Sequence, residues 1–354
     1  MQRRKTRAVQ CGAVTIGGGA PVSVQSMTKT HTEDTRATLQ QIRELADLGC
    51  EIIRCAVPTR AAAGALEQVV KGSPLPVVAD CHFDYRLALA SLEAGAHGVR
   101  VNPGNMSEEA GLREVFRTAA LEGRKVRIGV NSGSVRPRSG MNVQAAEDDL
   151  AELMLRSALE CCAAAESEGC TSLVLSLKAS DVPTTIRAYR SAAEACDYPL
   201  HLGVTAAGPP QLSLVKSAVG IGTLLAEGIG DTIRVSMTGP PHDEVEAAFS
   251  ILRALGMRPQ AGPEIISCPT CGRCGVDLVE LVQEVSRRLK GCKKDLKVAI
   301  MGCIVNGPGE AAEADVGIAG GKDFGYLLRR GKKARKVDGS QLADALLDEI
   351  DSMD

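Results

Sequence analysis

The chain has 354 residues, a net charge of −2 and 44% apolar residues, which allows one large domain or two ordinary ones with a sizeable core. Near-neutral charge gives no pull toward nucleic acid or an anionic membrane. There is no Trp, and four Tyr and four Phe leave little on which nucleic-acid bases could stack.

The N-terminal stretch MQRRKTRAVQCGAVTIGG is basic, without the apolar core of a signal peptide. No run of apolar residues is long enough to span a membrane, so a cytoplasmic protein is expected. Thirteen cysteines in that setting argue for thiols, metal or redox chemistry rather than disulfides. From there to about residue 240, short apolar runs alternate with helical patterns. Strands are predicted at 22–27, 52–57, 76–81, 98–103, 126–131, 172–178, 200–205 and 232–237. Helical patterns include 36–49, 84–95, 147–169 and 183–196, and many end in Gly, a helix stop signal. Eight such units predict an α/β fold, a (β/α)8 TIM barrel over 1–258. A doubly wound open sheet is the rival, but no G-x-G-x-x-G follows the first strand. Gly220, Gly222, Gly228 and Gly230 read as turn and helix-cap glycines. A second domain, 259–354, follows the turn-rich GMRPQAGPE. It reads as a small α+β unit, with strands at 264–267, 296–302 and 315–320, a helix at 276–291, a hairpin around 324–337 and a last helix at 339–353.

Catalytic residues of a barrel gather where strands run into the following loops. The strand ends here carry Arg54, Asp80 with His82 beyond it, Arg100, Asn102, Arg127, Asn131, Lys178, Arg234 and Ser236. Alternate residues of a strand share a face, so Arg100 with Asn102, and Arg234 with Ser236, point the same way. Asp80, Glu51 or loop carboxylates could pair with single arginines. Five cations together fit a polyanion better, and guanidinium forks match phosphate oxygens. A diphosphate is the natural size. Asp80 and His82 are candidates for handling protons.

The run SCPTCGRCG places Cys268, Cys271 and Cys274 at steps of three. It lacks the second pair that a zinc site wants and the continuation of a bacterial ferredoxin run. Downstream, in MGCIVNGPGEA, Cys303 ends an apolar run and a Gly-Pro-Gly turn brings Glu310 back. Both could reach one metal centre.

At this point the sequence resembles the GcpE/IspG family, the 4-hydroxy-3-methylbut-2-enyl diphosphate synthases of the non-mevalonate isoprenoid route. The likeness runs nearly end to end. It rests on VQSMT (24–28), AD-x-HF (79–83), RVNPGN (100–105), RIGVNSGS (127–134), HLGVT (201–205), GIGDTIRVS (228–236), CPTCGR (268–273) and GCIVNGPGE (302–310). The resemblance implies a two-domain enzyme, a barrel followed by a sulfite-reductase-like domain with a [4Fe–4S] cluster. It implies Cys268, Cys271, Cys303 and Glu310 as cluster ligands and leaves Cys274 out. It further implies 2-C-methyl-D-erythritol 2,4-cyclodiphosphate as substrate, reduced flavodoxin or ferredoxin as electron donor, and a head-to-tail homodimer in which one chain's cluster caps the other's barrel. The barrel cations with Asn102, Asn131 and Ser236 would hold the diphosphate, and Asn306 could touch substrate from the cluster side. Displacement of Glu310, a weaker ligand than thiolate, would open one iron to substrate. There is one departure. The family pattern has Glu after HLGVT, and here Ala206 stands there, which puts turnover in question. Ala206→Glu is expected to raise it.

Overall fold

The computed structural model describes residues 2–353 except 107, 136–149, 206, 207 and 261. The chain divides into two compact units, Met1–Arg258 and Pro259–Asp354.

The first unit opens with a hairpin, β1 (Ala8–Cys11) and β2 (Val14–Gly17). Eight strands follow: β3 (Ser23–Met27), β4 (Ile52–Val57), β5 (Val77–Cys81), β6 (Gly98–Val101), β7 (Lys125–Asn131), β8 (Leu173–Lys178), β9 (His201–Leu202) and β10 (Thr232–Ile233). They form one sheet in the order β8-β7-β6-β5-β4-β3-β10-β9, and all of their pairings are parallel. The seam between β8 and β9 is closed by a bridge, Leu175 to Leu200, and by the Leu175 N–H donating to Pro199 O at 2.9 Å. The ring is therefore a barrel. Strands with helices outside and side chains inside are buried on both faces, as in β5, where every residue is buried.

The helices are α1 (Thr35–Asp47), α2 (Arg60–Gly72), α3 (Tyr85–Glu93), α4 (Glu109–Leu121), α5 (Leu150–Ser167), α6 (Val182–Ala195), α7 (Pro210–Ala226) and α8 (Pro241–Ala254). Asp34, Thr59, Asp84 and Asp181 cap α1, α2, α3 and α6 through side-chain oxygens, satisfying amides that a helix start leaves free. After α1 and α3 the chain turns at Gly49 and Gly95 with φ of 90° and 85°, a conformation open to glycine.

The first hairpin sits at the barrel floor. Val9, Cys11 and Ile16 pack with Ile52, Val78 and Val174, which closes that end and leaves the C-terminal ends of the strands as the opening. Two expectations change. The last two strands are shorter than 200–205 and 232–237, because ladder pairing stops after Leu202 and Ile233. Gly220 and Gly222 lie inside α7 rather than in turns, and Gly220 packs under Val204, which a Cβ would approach to 3.0 Å. The start of the helix expected at 147–169 lies outside the described residues.

The second unit is a five-stranded sheet, β11 (Glu264–Ser267), β12 (Lys297–Met301), β13 (Val316–Gly320), β14 (Phe324–Arg329) and β15 (Lys332–Asp338), ordered as in the chain. The first three strands are parallel, and β13-β14-β15 is an antiparallel meander. One face is covered by α9 (Leu278–Arg288) and α11 (Leu342–Asp351) over Val298, Ile300, Ile318 and Leu327. On the other, α10 (Gly307–Glu310) packs on β12 and β13 beside Met301 and Ala319. No helix among the described residues is long and apolar enough to cross a membrane.

Candidate active site

The barrel opens into a cavity of about 180 Å³. Arg54, Asp80, His82, Arg100, Arg127, Asn131, Lys178, Arg234 and Ser236 line it, together with Ser176, Val204 and Thr205. Asn102 is buried beside them. Its Oδ1 accepts from the Gly104 N–H and the Ser134 hydroxyl, and its Nδ2 has no partner.

Sheet register makes this convergence. Asp80 pairs with Arg100 across β5-β6, and Arg100 with Arg127 across β6-β7. Asp80 lies 3.5 Å from Arg54 and 3.4 Å from Arg100. Burial alone would push its carboxyl up, but Arg54, the contact with His82, Arg100 and Arg127 together outweigh that and hold it well below the usual carboxylate range. It is therefore ionised at neutral pH, and it anchors the forks of Arg54 and Arg100. His82 Nε2 lies 2.8 Å from Arg100 Nη1. The same nitrogen lies 3.4 Å from Asp80 Oδ1, and the other ring nitrogen faces the Asn105 amide at 3.3 Å. Glu51 takes no cavity arginine. It pairs with Arg258 instead.

Glu244, on α8, was not singled out from the sequence. It is buried and bonds Arg234 at 3.1 Å, Lys29 at 2.9 Å and the Met237 N–H at 3.2 Å. Asp80 and Glu244 thus each serve two cations. Among the described residues Arg127 has only the neutral Gln25 Oε1, at 2.6 Å from across the barrel. Among the described residues no hydrogen bond or ion pair reaches Lys178. Burial first, and then the neighbouring Arg127 and Arg54, push the Lys178 ammonium well below its ordinary range, and Arg127 is shifted the same way. The cavity holds more positive charge than it can neutralise.

Three glycines make room for buried cations, the cavity's Arg100 and Lys178 and also Lys125, which does not line it. A Cβ on Gly98 would lie 2.5 Å from Lys125 Cγ, one on Gly129 2.7 Å from Arg100 Nε, and one on Gly203 2.5 Å from Lys178 Nζ. Glycine inside a strand marks such close approach, and that was the available signal in the sequence. Below Gly203 on the same face lies His201, fully buried, with neither ring nitrogen partnered. Burial and the cations above it hold it neutral. Ser23 and Thr232, its neighbours in register, also have unpartnered hydroxyls.

The second unit carries the cysteine loops. Parallel pairing of Ser267 with Ile300 brings the ends of β11 and β12 together, and the Gly302 N–H donates to Cys268 Sγ at 3.3 Å. The N–H groups of Asn306, Val305 and Gly307 surround Cys303 Sγ, with Arg273 near, and hold this thiol below its ordinary value. Cys271 is exposed, and Thr270 before it has φ 51°, unusual for a β-branched residue. Cys274 differs. Its thiol donates to Val276 O at 3.2 Å and rests against Gly302. Glu310 is exposed, and its carboxylate has no partner among the described residues. No three His, Cys, Asp or Glu side chains among those residues converge on a single-ion site. A cubane cluster asks less convergence, since each ligand holds its own iron. A part-exposed thiol set, with amides turned toward Cys268 and Cys303 and one exposed carboxylate, fits such a group.

A family model described as the GcpE TIM-barrel domain matches residues 6–249, and one described as the GcpE protein C-terminal domain matches 264–352. The chain belongs to the GcpE family. The relative from Geobacter sulfurreducens, 4-hydroxy-3-methylbut-2-en-1-yl diphosphate synthase (flavodoxin), is 52% identical over 99% of this chain and 98% of its own length. The Aquifex aeolicus protein of the same name is 49% identical over 100% and 98%. Among solved structures, a Yersinia pestis dihydropteroate synthase aligns with 71% of this chain and 98% of its own at 15% identity and TM-score 0.50, which reflects the shared barrel. The GcpE barrel and C-terminal domains match the two regions in which the cations and the cysteines lie.

Proposed function

We propose that this chain reductively opens and dehydrates 2-C-methyl-D-erythritol 2,4-cyclodiphosphate to 4-hydroxy-3-methylbut-2-enyl diphosphate in non-mevalonate isoprenoid biosynthesis, with reduced flavodoxin as electron donor in the cytoplasm. Two neighbouring C–O bonds break and one C=C forms, which takes up two electrons. The ring oxygen stays on phosphorus, and the hydroxyl leaves as water with a proton from solvent or the protein.

The observation that carries this reading is the unneutralised charge at Arg127 and Lys178 in a polar cavity closed at its floor. Arg54, Arg100, Arg127, Lys178 and Arg234, with Asn102, Asn131 and Ser236, hold the diphosphate. Charge-assisted contacts in such a water-poor site are stronger than at a surface. Asp80 and Glu244 fix the forks of Arg54, Arg100 and Arg234, and His82 offers a polar contact at the rim. Cys268, Cys271, Cys303 and Glu310 would hold a [4Fe–4S] cluster, which supplies electrons singly and a Lewis-acidic iron beside a displaceable carboxylate. Asn306 lies in the same loop, and the resemblance supports a head-to-tail dimer joining barrel and cysteine loop from different protomers. Ala206 lies outside the described residues.

The test is anaerobic purification followed by reduction of the cyclodiphosphate with reduced methyl viologen. A brown protein with about four irons per chain and formation of the allylic diphosphate are expected. A colourless protein with one zinc, or a brown one that leaves the substrate untouched, would refute the reading.

A further inference from the structure

The basic hairpin β14–β15 is not used by the reaction described above. Arg329, Arg330, Lys332, Lys333, Arg335 and Lys336 fall within eight residues, and no acid occurs between 324 and 337. Only Arg329 has a carboxylate partner among the described residues, Glu349. On the face that α10 shares, Phe324 and Tyr326 stand edge to face with centroids 5.7 Å apart. Lys336 lies 3.8 Å above the Phe324 ring and Lys333 4.2 Å above the Tyr326 ring. The patch begins where the cysteine loop ends. A Cβ on Gly331 at the hairpin tip would lie 2.7 Å from Ala312 Cα, two residues past Glu310, and the Arg330 N–H donates to Asp315 O at 2.9 Å.

Lysines often guard an edge strand such as β15 against pairing, and one or two suffice for that. Five cations without a carboxylate partner, flanking an aromatic pair beside the loop that would hold the redox centre, ask for more. We propose that this face is the docking surface for the electron donor, an acidic carrier protein whose carboxylates meet the cations while its redox group sits over the aromatic pair. The inference rests on the flavodoxin reading above. Complementary charge of this kind acts on encounter and is screened by salt.

The test uses the anaerobic holoprotein and the variant Lys332→Gln/Lys333→Gln/Arg335→Gln/Lys336→Gln. Flavodoxin binding is titrated by calorimetry at low and high salt, and turnover is measured with reduced flavodoxin and with reduced methyl viologen. The variant should bind flavodoxin at least roughly tenfold more weakly, as four rim charges would give, with a flatter salt dependence and an unchanged methyl viologen rate. Lys290→Gln/Lys293→Gln, at the far end of α9, should bind as the parent does. Unchanged flavodoxin affinity in the fourfold variant overturns the proposal, as does a methyl viologen rate that falls equally, or a parent that does not bind flavodoxin. Failure of the parent to turn over with methyl viologen refutes the reaction instead, and the binding titration still decides the surface.

Discussion

Gly203→Ala probes the barrel most directly. Gly203 is not among the glycines with positive φ, so its backbone is open to alanine and only space is short. The added Cβ would lie 2.5 Å from Lys178 Nζ, 3.0 Å from Lys178 Cε and 2.7 Å from the Arg234 carbonyl oxygen. The carbonyl belongs to the barrel wall, whose Arg234 N–H is bound to Leu202 O at 3.0 Å. The Lys178 ammonium is the part freest to give and moves away, while the strand must also yield at the Arg234 carbonyl. Loss of one charge-assisted contact costs about 1.5–3 kcal/mol, or roughly 10- to 150-fold in kcat/KM. Turnover with reduced methyl viologen and calorimetric binding of pyrophosphate would both show the loss. Gly222→Ala, inside α7 with nothing within 4 Å of the new Cβ, is the control and should be neutral or slightly stabilising. Full pyrophosphate affinity in Gly203→Ala, or an equal loss in Gly222→Ala, would refute the reasoning.

Other consequences follow from the same geometry. Pyrophosphate should restore the depressed Lys178 ammonium, so binding takes up a proton and weakens as pH rises from the depressed value toward the ordinary lysine range near about 10.4. Calorimetry in buffers of different ionisation heat checks this, and an affinity independent of pH contradicts it. Lys178→Met removes a buried amine without a partner among the described residues and should stabilise the ligand-free protein while losing most of the stabilisation by pyrophosphate, read from melting temperatures. Cys274→Ser, whose thiol is turned toward Val276 O, should keep its iron, whereas Cys303→Ser should lose it by metal analysis. The reverse pattern would put Cys274 in the ligand set.

The barrel was legible in the sequence because its signal is repeated. Each unit pairs an apolar run with a helical pattern, and one misplaced boundary changes nothing. The shortness of β9 and β10 was not legible, because HLGV and TIRV have strand composition whether or not a neighbour completes the ladder. The floor hairpin was missed because its strands have four residues each and are fixed by packing on Ile52, Val78 and Val174 from distant parts of the chain. The cysteine loop was half legible. Spacing raised the question of which thiols serve, and only the parallel pairing of β11 with β12 shows Cys268 beside the 302–303 turn and Cys274 turned inward.

The cations were legible singly and illegible as a balance. From the sequence, Asp80 and Glu51 looked equally able to neutralise them. In the fold, register gives Asp80 to Arg54 and Arg100, position gives Glu51 to Arg258, and α8 delivers Glu244 to Arg234. Among the described residues Lys178 is left unpartnered, and Arg127 has only the amide of Gln25. That remainder is costly without a ligand, since like charges in a poorly solvated cavity repel. More carboxylates would make the empty barrel more stable and remove its attraction for a diphosphate. Binding must then repay what folding spends, and it adds stability in proportion to ligand saturation. Gly129 and Gly203 belong to the same compromise. Each forgoes a side chain so that a long cation can lie against the strand, and an alanine there would meet that cation and, at Gly203, the Arg234 carbonyl oxygen as well.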